Sequence, residues 1–62
     1  MVNLTRPQRL AVARIVSRVH GDNPTLAQYR AIRRTAQPGP GCVMIPFAGM
    51  WLGIEPDGYT HS

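Results

Sequence analysis

The sequence predicts a small α+β domain, in which an N-terminal helical hairpin is followed by a two- or three-stranded antiparallel β-meander. Apolar residues recur with a helical period in the first part of the chain and with a period of two in the last part. A Pro-Gly-Pro-Gly sequence separates the two patterns. We therefore divide a single domain, residues 1–62, into a basic helical hairpin (6–37), a Pro-Gly hinge (38–41) and an apolar β-hairpin or meander (42–62).

Two capping-box patterns predict where the helices begin. Thr5 and Gln8 have the spacing of the first box, and the same residue types repeat it at positions 25 and 28. The first helix is predicted over residues 6–20 because Gly21 is a stop signal. The second ends at or before Gln37, since Pro38 follows it. The predicted apolar faces of the two helices are Val12, Ile15, Val16 and Val19, and Leu26, Tyr29, Ile32 and Ala36.

Residues 42–54 form an apolar run without a charged side chain, which we expect to fold back at Ala48-Gly49. Alanine resists the positive φ that a two-residue turn requires, so a longer loop that includes Pro46 is the alternative. The next four residues, 55–58, predict a type I turn with Gly58 in the left-handed position, followed by a short third strand. The expected cross-strand pairs, which share one face, are Phe47 with Met50, Ile45 with Leu52 and Val43 with Ile54.

The reverse face of this hairpin is also apolar, because it carries Met44, Pro46 and Trp51. One face needs the helices as a cover, and the other is available to a partner. Tryptophan and methionine are favoured contact residues in protein interfaces. We nevertheless expect at least two of the three large side chains near the turn, at positions 47, 50 and 51, to be buried. The predicted partner-binding residues are Met44, Phe47, Met50, Trp51 and Leu52.

All seven cationic side chains are arginine, and all precede the Pro-Gly segment. Only Asp22 opposes them there, so residues 1–41 carry +6, whereas Glu55 and Asp57 give the remainder −2. A guanidinium group binds phosphate or carboxylate bidentately. Solvated helix flanks, salt bridges and the arginine bias of a GC-rich coding sequence are the alternatives. The residues predicted to contact nucleic acid or an acidic surface are Arg14, Arg18, Arg30, Arg33 and Arg34.

Catalysis and metal binding have little support in the sequence. Cys42, Asp57 and His61 supply the residue types of a nucleophilic triad, but no nucleophile motif surrounds the cysteine. One cysteine with His20 and His61 falls short of the four closely spaced ligands of a structural zinc site. The apolar run is also far shorter than the roughly 20 residues that span a membrane. We therefore expect no enzyme, cofactor, metal, membrane partner or small-molecule substrate.

The sequence thus favours a non-catalytic basic structural or adaptor subunit, docked in a larger protein assembly through its apolar strands. Chains of this length lie near the lower limit for a stable single core, so docking or a homo-oligomer is the expected source of added stability. A cytoplasmic location or a place within a virus particle or another nucleoprotein assembly fits these features. The alternative is an autonomous nucleic-acid-binding protein that uses the arginine-bearing helices.

Overall fold

The computed structural model describes residues 2–62, which form two helices followed by a four-stranded antiparallel sheet. Helix α1 spans Arg6–His20 and helix α2 spans Leu26–Arg34. The order of the strands in the sheet is their order in the chain. The predicted α+β class, a helical hairpin followed by a β-meander, is confirmed. The strands are β1 (Gln37–Gly39), β2 (Cys42–Phe47), β3 (Met50–Ile54) and β4 (Thr60–His61).

Both predicted capping boxes are present, and each fixes the start of its helix. Thr5 Oγ1 accepts a hydrogen bond from the backbone N–H of Gln8 at 3.2 Å, and Gln8 Oε1 accepts one from the Thr5 N–H at 2.9 Å. Thr25 and Gln28 repeat these bonds at 3.1 and 2.8 Å. Helix α1 therefore has its predicted bounds, whereas α2 ends three residues before Gln37.

The Pro-Gly segment differs from the predicted hinge, because half of it belongs to the sheet. Strand β1 pairs with residues 42–44 of β2, with Pro38 opposite Val43. Only Pro40 and Gly41 form the turn that leads into β2. A three-residue strand that contains proline suits the edge of a sheet, where no further strand needs its missing N–H group. This edge strand is the one that the predicted meander lacks.

The β2–β3 hairpin has the predicted register, with Phe47 opposite Met50 and the other two pairs as expected. Its turn contains only Ala48 and Gly49, whose φ angles are +52° and +77°. Alanine thus adopts the left-handed conformation that a two-residue turn requires. The longer loop does not form, and Pro46 stays in β2 opposite Trp51.

The hydrophobic core lies between α1 and the inner face of the sheet. Full burial of one aliphatic side chain stabilises the fold by about 1.5–3 kcal/mol, so the four that are buried completely dominate this core. By contrast, Val19 is 51% exposed and Leu26 is 61% exposed, so the predicted apolar helix faces are uncovered next to the inter-helix turn. The four completely buried side chains are Val12, Val16, Ile45 and Ile54, and the remaining core residues are Leu4, Ala11, Ile15, Ala36 and Val43.

Gln8 joins the first turn of α1 to the sheet. Its side chain is almost completely buried, and Nε2 donates a hydrogen bond of 2.9 Å to the carbonyl oxygen of Ile54. Next to it, Thr5 Oγ1 donates a 2.7 Å bond to the carbonyl oxygen of Pro56. The same two residues that cap α1 therefore also hold it against the end of β3 and the turn that follows.

We expect Gln8→Ala to lower the free energy of unfolding by about 2 kcal/mol, because it removes both the buried hydrogen bond to the Ile54 carbonyl and the capping bond to the Thr5 N–H. Gln28→Ala is the matched control, since Gln28 makes the same capping bonds, which are exposed to solvent, and has no hydrogen bond to the sheet among residues 2–62. Its cost should stay below about 1 kcal/mol. Urea unfolding followed by circular dichroism measures both values. Equal costs would contradict a role for Gln8 beyond capping.

Candidate functional site

The β2–β3 hairpin extends beyond both of its neighbouring strands. Strand β1 pairs only with Cys42–Met44, and β4 pairs only with Gly53 and Ile54. The end of the hairpin is therefore a two-stranded ribbon without a flanking strand on either side. We call residues 46–51 of this ribbon the hairpin tip; none of them is charged.

The hairpin tip exposes large apolar side chains on both of its faces. Trp51 is 48% exposed and lies with Pro46 on the outer face, which is the face turned away from the helices. Met50 is 52% exposed and lies with Phe47 on the inner face. The expectation that at least two of the three large side chains are buried is wrong. The covered part of the sheet is the base of the hairpin, and of the tip only Phe47 packs, partly buried, against the core.

The other two predicted contact residues, Met44 and Leu52, are half-buried on opposite faces. Met44 lies on the outer face with its Sδ 3.6 Å from the Sγ of Cys42. Its side chain covers Gly39, where an added Cβ would come within 2.8 Å of Met44 Cγ. Leu52 points to the inner face. The five predicted contact residues therefore lie on both faces of the hairpin and do not form a single surface.

The opposite end of the outer face is polar. The His61 ring lies across Gly53, where an added Cβ would come within 2.7 Å of it, and its Nε2 is 3.5 Å from Glu55 Oε2. The Tyr59 ring stacks on the His61 ring with a centroid separation of 6.1 Å. The apolar surface around Trp51 is therefore limited at this end by polar side chains, as interfaces commonly are at their rim.

A groove of about 160 Å³ lies between α1 and the β3–β4 part of the sheet. It forms because β4 ends opposite Gly53, which leaves Leu52 without a neighbouring strand on that side. Two arginines one helical turn apart, about 6 Å along the axis, contribute to its wall. The groove is lined by Ala11, Arg14, Ile15, Arg18, Leu52 and Thr60.

The structure divides the predicted arginine surface into two groups. Arg14 and Arg18 line the groove, whereas the three arginines of α2 do not. Arg33 is half-buried, and its Nε has no hydrogen-bond partner within residues 2–62. Within residues 2–62 no arginine forms an ion pair with a carboxylate. The salt-bridge alternative therefore fails there, and Arg14, Arg18, Arg30 and Arg34 present their charge at the surface.

The three residues that could supply a nucleophilic triad each contact a different side chain or backbone group. The Cys42 thiol lies against Met44, Asp57 Oδ1 accepts a hydrogen bond of 2.9 Å from the Tyr59 N–H, and His61 faces Glu55. Among residues 2–62, no three histidine, cysteine, aspartate or glutamate side chains come close enough together to share a metal ion.

The sequence did not indicate the groove. No sequence pattern marks Thr60, although the predicted turn at 55–58 places it close to the end of β3. The hydrogen bond from Gln8 to Ile54 was equally unexpected, because a capping-box pattern gives no information about burial. Only the position of Leu52 on the same face as Ile45 could have pointed to this side of the sheet.

Comparison of the chain with protein-family models, curated proteins and solved structures finds no significant match. Neither of the helices described in residues 2–62 is long and apolar enough to be a transmembrane span. The functional argument therefore depends on the geometry of the hairpin tip, the groove and the charged helix surfaces.

Proposed function

We propose that this chain is a small, non-catalytic structural or adaptor subunit that docks on a larger acidic protein through its hairpin tip. The observation that carries the proposal is the exposure of Trp51, the one tryptophan of the chain, on a sheet face that neither helix covers. Pro46 lies opposite it on the same face, and Met50 is similarly exposed on the other face of the hairpin tip. Such residues are the usual anchors of protein interfaces.

Apart from Phe47, the residues of the hairpin tip do not contribute to the core. The base of the hairpin is already buried against α1, with Ile45 and Ile54 fully inaccessible. Exposed tryptophan and methionine side chains at the tip therefore add little to folding, yet their uncharged surface tends to associate. Docking on another molecule accounts for this combination of a closed core and an open apolar tip.

Charge indicates the chemistry of that molecule. The chain carries +4 at neutral pH, so a second copy would bring a further +4 to the interface. Like charges oppose association, whereas a partner with an acidic surface is attracted over a Debye length of about 8–10 Å. We therefore assign the hairpin tip to an acidic protein with an apolar cleft, rather than to self-association.

Site-specific photo-cross-linking in cells tests the proposal. A benzophenone amino acid at position 51 should give a discrete adduct with one acidic protein, which is then purified and shown to bind the isolated chain. The matched control is the same probe at Leu10, which is 53% exposed on α1. Identical adducts from both positions, adducts with a second copy, or adducts with nucleic acid alone would contradict docking by the hairpin tip.

Nucleic-acid binding is the second candidate, and the absence of arginine ion pairs within residues 2–62 favours it. If the α2 arginines contact phosphates, affinity for a DNA duplex should fall steeply with salt concentration. Replacing Arg30 and Arg34 together by glutamine should then reduce the slope of log K against log salt by about one unit per lost contact. An unchanged slope in filter-binding titrations would exclude these two arginines as phosphate contacts.

A further inference from the structure

The proposed function leaves unexplained the groove beside α1 and the open edge of β3 that adjoins it. Strand β3 has a neighbour on its β4 side only at Gly53 and Ile54. Residues 50–52 therefore have no strand on that side within the described part of the chain, and the groove begins at Leu52. An exposed strand edge is a template for a further strand.

The two open edges of the hairpin tip are not equivalent. On the β2 side, β1 covers only residues 42–44, and the uncovered residues include Pro46. Proline removes a backbone donor and is one of the devices that protect an edge against pairing. On the β3 side, residues 50–52 contain no proline. Met50 and Leu52 pair with Phe47 and Ile45 across the hairpin, so the backbone N–H and C=O groups of Trp51 point to this edge and can pair with an added strand.

The side chains that line the groove select the chemistry of such a strand. Ala11, Ile15 and Leu52 are apolar, whereas Arg14 and Arg18 bring two positive charges that no carboxylate within residues 2–62 neutralises. A guanidinium group pairs well with a carboxylate. Because successive residues of a strand point to opposite faces, every second side chain of an added strand would point into the groove.

We infer that the β3 edge and the groove together bind an extended acidic segment of the partner protein, in which carboxylate and aliphatic side chains alternate on one face. The segment adds a strand beside residues 50–52, its aliphatic side chains contact Leu52, and its carboxylates pair with Arg14 and Arg18. This inference rests on the proposed function, because it assigns a second contact to the same partner. A nucleic-acid backbone would use the arginines but neither the apolar lining nor the free strand edge.

A labelled octapeptide with the sequence EEVVEEVV is a suitable probe, because glutamate and valine alternate on each of its faces when it is extended. The matched peptide QQVVQQVV has the same length and the same aliphatic content without the charges. Fluorescence anisotropy on the full chain should show that the acidic peptide binds and that salt weakens it. Hydrogen exchange should slow at the backbone amide of Trp51, which points to the open edge, when the peptide is present.

Replacing Arg14 and Arg18 together by glutamine should weaken binding of the acidic peptide about tenfold, as expected for the loss of two surface ion pairs. Glutamine has a helix propensity close to that of arginine, so α1 should remain folded. The control is Arg30→Gln with Arg34→Gln, which removes the same charge from α2 and should change the affinity by less than about twofold. Circular dichroism confirms the fold of each variant.

Three results would overturn the inference: equal binding of the glutamine peptide, an equal loss in the α2 double variant, or tighter Arg14- and Arg18-dependent binding of oligothymidylate than of the peptide. Unaltered hydrogen exchange at the Trp51 amide would equally contradict the addition of a strand at this edge. None of these results bears on adducts formed from position 51, so docking by the hairpin tip can stand or fail separately.

Discussion

Replacing Gly58 by alanine is expected to lower the free energy of unfolding by about 3 kcal/mol, the largest effect on stability that we anticipate. Gly58 has a φ of +92°, where an L side chain costs about 1–2 kcal/mol. It is also buried, and an added Cβ would lie 2.9 Å from the carbonyl oxygen of Pro7. Because that contact is with backbone in the first turn of α1, the helix would have to move away from the β3–β4 turn.

Gly21→Ala separates the two contributions. Gly21 has a similar φ of +94°, but an added Cβ there meets no atom within 4 Å. Its expected cost is the strain alone, about 1–2 kcal/mol. Chemical denaturation of both variants measures the difference. Equal destabilisation would contradict the close packing of α1 against the β3–β4 turn. It would also contradict the alignment of Thr5 and Gln8 with the sheet.

Replacing Trp51 by serine is expected to weaken the complex with the cross-linked partner at least about 30-fold, the loss that follows from removing a central interface tryptophan. Because about half of the side chain is buried in the free chain, the free energy of unfolding should fall by only about 1 kcal/mol, so the chain should remain folded. Isothermal titration calorimetry with purified components measures the affinity, and circular dichroism confirms the fold.

Val19→Ser provides the matched control for this comparison. Val19 is 51% exposed, similar to Trp51, but it lies in the last turn of α1, close to the inter-helix turn rather than at the hairpin tip. Its replacement should alter the affinity by less than about twofold. A similar loss in both variants would show that exposed apolar area in general, rather than the hairpin tip, determines binding.

The local structure of this chain could be predicted from sequence wherever a short-range rule applies. Thr5 with Gln8 and Thr25 with Gln28 fixed the helix starts, and Gly21 fixed the end of α1. The alternation of residues 42–54 fixed the hairpin register, because a shift of one residue would turn every inner side chain outward.

The features that the sequence could not show depend on how much of one helix or strand is covered by another. Strand β1 was hidden because proline and glycine are typical of turns, and only pairing with β2 makes Gln37–Gly39 a strand. Met50 is exposed because α1 leaves the end of the inner face uncovered, and Trp51 is exposed because neither helix covers the outer face. Their apolar character was visible in the sequence, but their solvent exposure was not.

The candidate site was predictable to a similar extent. The apolar reverse face of the hairpin predicts Met44 and Trp51 as contact residues, and both lie on its outer face. Arg14 and Arg18 lie near Leu52 and Thr60 because α1 packs over the end of β4. A helical period and a strand period do not show how a helix and a strand are placed relative to each other.

The measurement that tests docking by the hairpin tip most directly is the ¹⁹F NMR spectrum of the chain labelled with 5-fluorotryptophan. Because Trp51 is its one tryptophan, the label gives a single resonance that reports on the hairpin tip alone. In the free chain the resonance should show the H₂O/D₂O isotope shift of a solvent-exposed indole. We predict that this shift disappears when the partner binds. A Trp51 resonance that keeps its full isotope shift in the saturated complex would contradict docking through the hairpin tip.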